Sequence, residues 1–179
     1  MRCLIAILLC LGFALSLAVP LSAQKEKREP LTEDQVEKIA EAGIDPNARV
    51  ALYTKYLDEH ADAIKALTNR KVSDARASRM NDALEDLTAL MDELGDNLDV
   101  YSDRKADMRK ALKALNDAAP RWQGILRALA GEPTFNLARK EAIESSEDLI
   151  SQSSRLLQEQ TDYFKLHPDE AGQDRAEPK

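Results

Sequence analysis

Cysteine is missing from all of the chain beyond residue 10, since the only two cysteines are Cys3 and Cys10. If the first residues are removed, the protein has no disulfide, no thiolate metal site, no cysteine nucleophile and no covalent haem. Histidine occurs only twice, and sites for zinc, copper or haem usually need more imidazole or thiolate ligands than that. The chain also lacks a phosphate-binding glycine loop and the Gly-x-Ser-x-Gly pattern of serine hydrolases. These absences argue against an enzyme.

Aromatic residues are few, at 4% of the 179 residues, and β-branched residues are scarce as well. Both classes favour strands, whereas the Ala, Leu, Glu, Lys and Arg that dominate this chain favour helices. Acidic side chains outnumber basic ones by 32 to 25, a formal net charge of −7, which argues against nucleic acid or an anionic membrane as a partner. The sequence predicts an all-α protein, a helical bundle of three to five helices in one domain.

Charge is missing between Arg2 and Lys25, where the chain is rich in Leu, Ile, Ala and Phe. A basic residue, an apolar run and a small residue after a proline are typical of a secretory signal peptide. We expect residues 1–23 to be removed by cleavage after Ala23 and the protein to be exported, to the periplasm or the medium. The alternative is an uncleaved anchor, because the run is long enough to span a bilayer of about 30 Å.

Beyond the signal, periodicity divides the chain into three parts. Residues 24–30 are charged and carry no pattern, so we expect a flexible leader. Residues 31–166 show helical periodicity and form the predicted bundle domain. Residues 167–179 begin at His167-Pro168, which ends the last helix, and we expect them to form a polar, disordered tail.

Capping residues predict the first two helices. Thr32 and Gln35 have the spacing of a reciprocal capping box, and Gly43 suits the left-handed residue that ends a short helix. Asp45-Pro46 supplies a cap and a first-turn proline for a second helix that ends near Leu67.

The later helices are predicted from a heptad frame. A third helix opens at Ser73 or Asp74, and its apolar residues alternate steps of four and three, as in coiled-coil-like packing. These residues are Met80, Leu84, Leu87, Met91, Leu94, Leu98 and Tyr101. The frame resumes at Met108, so the helix either continues through residues 102–105 or turns there with Ser102 as a new cap. Pro120 is expected to break or kink the chain, and residues 131–134 to form a loop before a last helix over 135–166.

His60 lies at the one gap in the apolar pattern of the second helix, which consists of Val50, Tyr53, Leu57, Ile64 and Leu67. As a functional residue it is a weak candidate for a metal or haem ligand. A di-metal bundle needs Glu-x-x-His pairs, and the residue three before His60 is Leu57. The sequence therefore favours a polar residue in a helix seam, with no metal and no cofactor.

The third helix is acidic in its middle and basic at its flanks. Between residues 80 and 103 it has no basic residue but eight acidic ones, namely Asp82, Glu85, Asp86, Asp92, Glu93, Asp96, Asp99 and Asp103. Carboxylates three or four residues apart on a helix repel each other, so we expect positive charge or solvent to offset the repulsion on this face. Either the basic residues over 104–113 fold back against it, or it is a contact surface for a basic partner, or it is merely solvated. The candidate interaction residues are Asp82, Glu85, Asp92 and Asp96.

The segment Leu31-Thr32-Glu33-Asp34-Gln35 resembles the LTxxQ pattern of the Spy-like family of periplasmic helical chaperones and stress sensors. The resemblance covers five residues, and a capping box produces the same letters. It implies a chaperone-like or adaptor role, and no functional residue is carried over from it.

The sequence as a whole predicts a non-enzymatic exported protein that acts by protein–protein contact, as an adaptor, scaffold or chaperone-like factor of the cell envelope. Its partner is another protein or a second copy of the chain, with no nucleic acid and no stable membrane insertion after signal removal. The alternative is a bundle that binds a small ligand or a metal at His60 or at the acidic face.

Overall fold

A computed structural model describes residues 29–172. The predicted signal peptide and most of the predicted leader lie outside the described residues, as do residues 173–179. Within the described range the chain forms five α-helices and one short 3-10 turn, with no strand, which confirms the all-α prediction. The helices are α1 (Glu33–Glu41), α2 (Pro46–Thr68), α3 (Asp74–Asp103), α4 (Arg109–Ala128) and α5 (Asn136–Leu166), and the 3-10 turn is Pro168–Glu170.

The four long helices form a bundle whose neighbours are not simply consecutive in the chain. Helices α2 and α5 each pack against both α3 and α4, whereas in the described residues no contact joins α3 to α4 or α2 to α5. The pairs Asn47 with Ala111 and Asp58 with Trp122 show that α2 and α4 are parallel neighbours. Helices α3 and α4 therefore lie on a diagonal, although only five residues connect them.

The connection from α3 to α4, residues 104–108, is called the diagonal crossover here, and it begins with a tight turn at the end of α3. The N–H of Lys105 donates to the carbonyl of Ser102 and the N–H of Ala106 donates to that of Tyr101, which is the Schellman arrangement. Lys105 is left-handed at φ 55°, a position usually taken by glycine. A continuous helix through residues 102–105 is thereby excluded, and Ser102 lies in the last turn of α3 instead of capping α4. The sequence left both a turn and a continuous helix open here, because no glycine or proline marks the turn.

Two amides hold the backbone of the crossover, which is buried at Ala106 and Met108. Gln160 of α5 donates from Nε2 to the carbonyl of Ala106 and accepts from the N–H of Met108 at Oε1, each at 2.8 Å. Asn47 of α2 donates from Nδ2 to the carbonyl of Asp107 at 2.7 Å. Loops usually run over the surface because buried peptide groups need partners, and these side chains supply them.

Most predicted boundaries agree with the structure. The capping box of Thr32 with Gln35 forms, Gly43 is left-handed, and Asp45 and Ser73 cap α2 and α3 through their side chains. The heptad positions of α3 are all buried. The expected break at Pro120 does not occur, since α4 runs through it. Pro120 is on the exposed face, where water can bind the carbonyl of Asn116 that loses its helical partner.

The first residues of the predicted tail are held against the bundle. The N–H of Gly172 donates to Asp107 Oδ2 at 2.9 Å, and the hydroxyl of Tyr163 donates to Glu170 at 2.7 Å. Arg109 forms an ion pair with the same Asp107 carboxylate, and these donors lower its pKa.

Candidate functional site

His60 lies at the edge of α2 and does not fill the seam. The buried residue at the gap is its neighbour Ala61, which is 1% exposed, whereas His60 is half-buried. The Nε2 atom of His60 lies 3.0 Å from the carbonyl oxygen of Pro30, so the imidazole holds the end of the leader against α2. Among residues 29–172, no group of three or more His, Cys, Asp or Glu side chains is arranged to hold a metal ion.

The four candidate residues of the acidic face fall into two groups. Asp82 and Glu85 lie toward the beginning of α3, where Glu85 accepts a hydrogen bond from Asn81 at 2.8 Å. Asp92 and Asp96 lie further along the helix axis, about 15 Å and about 21 Å from Asp82 at the helical rise of 1.5 Å per residue. The structure therefore does not combine all four in one site.

Asp92 and Asp96 line a groove between the parallel helices α3 and α5. This acidic groove has a volume of about 270 Å³, and its carboxylates are Asp92, Asp96, Asp99 and Asp148. Met91 and Leu149 form its apolar floor and are almost fully buried. The α3 carboxylates recur at intervals of four and three residues, which places them on one face of the helix.

Neutral groups of α5 provide the hydrogen bonds inside the acidic groove. The hydroxyl of Ser145 donates to Asp92 at 2.6 Å. Gln152 donates from Nε2 to the carbonyl of Gly95 at 3.0 Å and to Asp99 at 2.8 Å, so its side chain crosses the groove. A Cβ at Gly95 would lie 3.1 Å from Gln152 Oε1, and this tight approach explains the glycine within α3.

No ion pair within the described residues involves a carboxylate of the acidic groove. The basic residues of α4 pair elsewhere, Arg109 with Asp107 and Lys113 with Asp117. These basic residues are far from the acidic groove because α4 lies diagonally across the bundle from α3. The alternative in which the basic residues over 104–113 fold back against the acidic middle of α3 therefore does not hold for Arg109 and Lys113.

Sequence reasoning missed the α5 side of the groove. Ser145, Asp148 and Gln152 are spaced by three and four residues, which places them on one helix face. That spacing was available in the sequence, but the parallel pairing of α3 with α5 was not, because it depends on the diagonal crossover.

Comparison with protein-family models, with curated proteins and with solved structures finds no match for this chain. The pattern Leu31 to Gln35 is accounted for by the capping box at the start of α1. Within residues 29–172, none of the helices combines the length and the apolar character that a membrane span requires.

Proposed function

We propose that this protein is an exported, non-enzymatic helical protein that acts by contact, as an adaptor, scaffold or chaperone-like factor of the cell envelope. We further propose that the acidic groove binds a basic segment of its protein partner. The observation that carries this proposal is the collection of four carboxylates along one groove with no cation paired to any of them in the described residues.

The charge of the groove supports a basic partner. Asp92, Asp96 and Asp99 repel each other at their helical spacing, by a few tenths of a kcal/mol per pair. The hydroxyl of Ser145 and the amide of Gln152 hydrogen-bond two of them but bring no positive charge. A Lys or Arg side chain in the groove relieves this repulsion and steers association at low salt.

The shape of the groove supports a contact of modest size. Its apolar floor, formed by Met91 and Leu149, can pack against the alkyl part of a lysine or arginine while the cation meets the rim carboxylates. Carboxylates beside an apolar floor are a combination that suits the binding of a cationic side chain.

The test uses a fluorescently labelled nonalysine peptide and measures its binding by fluorescence anisotropy. The groove variant changes Asp92, Asp96, Asp99 and Asp148 to Asn, which keeps hydrogen-bond acceptors for Ser145 and Gln152. We expect the groove variant to bind the peptide at least tenfold more weakly than the parent at low salt. We also expect its melting temperature to be unchanged or higher, because like charges have been removed.

A matched control separates the groove from the overall charge of the protein. It changes four exposed carboxylates that lie outside the groove, Glu37, Glu41, Glu141 and Glu144, to Gln. The change in net charge equals that of the groove variant. If both variants weaken peptide binding equally, only the net charge acts and the groove is not a contact site. A fall in the melting temperature of the groove variant that shrinks with added salt indicates internal pairing instead.

A further inference from the structure

Helix α1 is attached to the bundle through a small contact. It packs against α2 alone among the described helices, and Ile39 is its only buried residue, with Leu31 buried just before it. Val36, on the same short helix, remains 51% exposed. Between α1, α2 and α3 lies a cavity of about 200 Å³, which Tyr53 and Ile39 help to line. Nine residues with so little buried apolar surface contribute little stability of their own.

Two polar atoms are buried without a partner at the contact of α1 with α2. Tyr56 is 2% exposed, and its hydroxyl has no hydrogen-bond partner among the described residues. It lies near Asp34 and Lys38 of α1, and burial raises its pKa. Arg49 donates from Nη1 to the carbonyls of Ile39 and Gly43, but its Nε is buried and also unpaired. Each unpaired buried group disfavours the closed contact because it has given up its water.

The remaining attachments of α1 are polar contacts at its edges and the contact of His60 with Pro30 just before it, and its connection to α2 is short. Gln35 donates to Glu59 at 3.1 Å in an exposed position, and the two bonds from Arg49 are long, at 3.3 and 3.4 Å. Gly43, at φ 61°, provides the left-handed turn after α1. Exposed and long hydrogen bonds open readily, which is typical of segments that unfold locally.

We propose that α1 is a detachable cover, which opens about the Gly43 turn while the four-helix bundle stays folded and thereby exposes a tyrosine-lined apolar strip of α2. The strip contains Tyr53, which lines the cavity beside α1, and Tyr56, which lies near Asp34 and Lys38 of α1; both are buried in the closed form. Opening hydrates the Tyr56 hydroxyl, and on the side of α1 it gives up the burial of Leu31 and Ile39 alone among the described residues, so the open form is a minor but accessible state. This inference does not depend on the proposed role of the acidic groove, which lies on α3 and α5.

Hydrogen exchange measured by mass spectrometry on the folded mature protein tests the cover. We expect the helical amides of α1 to exchange at least a hundredfold faster than those in the middle of α3, with little dependence on low concentrations of urea. Tyr56→Phe removes only the unpaired hydroxyl. It should slow the exchange of α1 on the order of tenfold, since the closed form no longer buries an unsatisfied group.

Tyr53→Phe is the matched control, because the hydroxyl of Tyr53 does have a partner, Glu93 Oε1 at 2.6 Å. We expect this variant not to slow the exchange of α1. Three results would overturn the proposal. The first two are exchange of α1 and α3 at equal rates with equal urea dependence, and exchange of α1 that does not respond to Tyr56→Phe. A Tyr56→Phe variant that slows α1 and α3 equally also overturns it, because α1 would then open only with global unfolding.

Discussion

Replacing Gln160 with leucine tests whether the buried amide holds the diagonal crossover. Gln160 is 7% exposed and satisfies the carbonyl of Ala106 and the N–H of Met108 at 2.8 Å each. Leucine keeps the side-chain volume but leaves both peptide groups without a partner. An unsatisfied buried group costs about 1–3 kcal/mol, and the better transfer of leucine into the core returns roughly 1–2 kcal/mol of the total.

The expected net loss for Gln160→Leu is about 2 kcal/mol of unfolding free energy. Urea denaturation followed by circular dichroism measures it, and a thermal scan should show a fall of about 4–8 °C for a domain of this size. Gln158→Leu is the control, because Gln158 is exposed on the same helix and bonds only Asp162. Its effect should lie within about 0.5 kcal/mol. A Gln160→Leu variant as stable as the parent would refute the claim that the amide is needed by the crossover.

Two further predictions concern the turn after α3 and the tyrosines of α2. Lys105→Gly should raise the unfolding free energy by about 0.5–1 kcal/mol, because glycine adopts φ 55° without strain. Lys105→Ala should lower the unfolding free energy, because it keeps the strain and loses the contact of Lys105 with the Tyr163 ring. Equal effects of the two variants in urea denaturation would contradict this. Burial raises the pKa of Tyr53 and Tyr56 in the closed form, so stability is fully present below their ordinary pKa of about 10 and falls as the pH rises above it. Tyr56→Phe should reduce the alkaline loss of α1 protection, and a loss that begins below pH 9 would argue against a tyrosine origin.

The existence of the helices could be predicted from the sequence, and the starts of the first three depend on a few adjacent residues. Thr32, Asp45 and Ser73 act as caps through contacts within three positions of the chain. The buried stripe of α3 follows equally from its spacing alone. Local chemistry is sufficient for such features, and tertiary structure did not overrule it.

The arrangement of the helices could not be predicted, because a heptad stripe identifies a buried face without identifying its neighbour. All four long helices bury faces that are mostly apolar, and such faces pack against one another in several possible orders. The turn after α3 could not be predicted with certainty, because its left-handed residue is Lys105 and not the glycine that usually marks such a turn. The position of His60 could not be predicted for a related reason. The strict alternation of three and four residues points to position 60, whereas the small residue Ala61 is the one that is buried there.

Polar contacts distinguish the pairings that apolar packing leaves open, and they also determine which carboxylates the fold uses. Asp58 accepts from the indole Nε1 of Trp122 at 2.6 Å and from Arg121 at 2.5 Å, so it joins α2 to α4. A donor misplaced by the wrong helix order would leave the Trp122 indole buried without a partner, which penalises the alternative arrangement. Two carboxylates of the acidic groove, Asp92 and Asp99, also join two helices, α3 and α5, but their donors in the described residues are neutral and bring no positive charge. Negative charge in the acidic groove therefore has no paired cation among the described residues, and this supports our proposal that the groove contacts a basic segment.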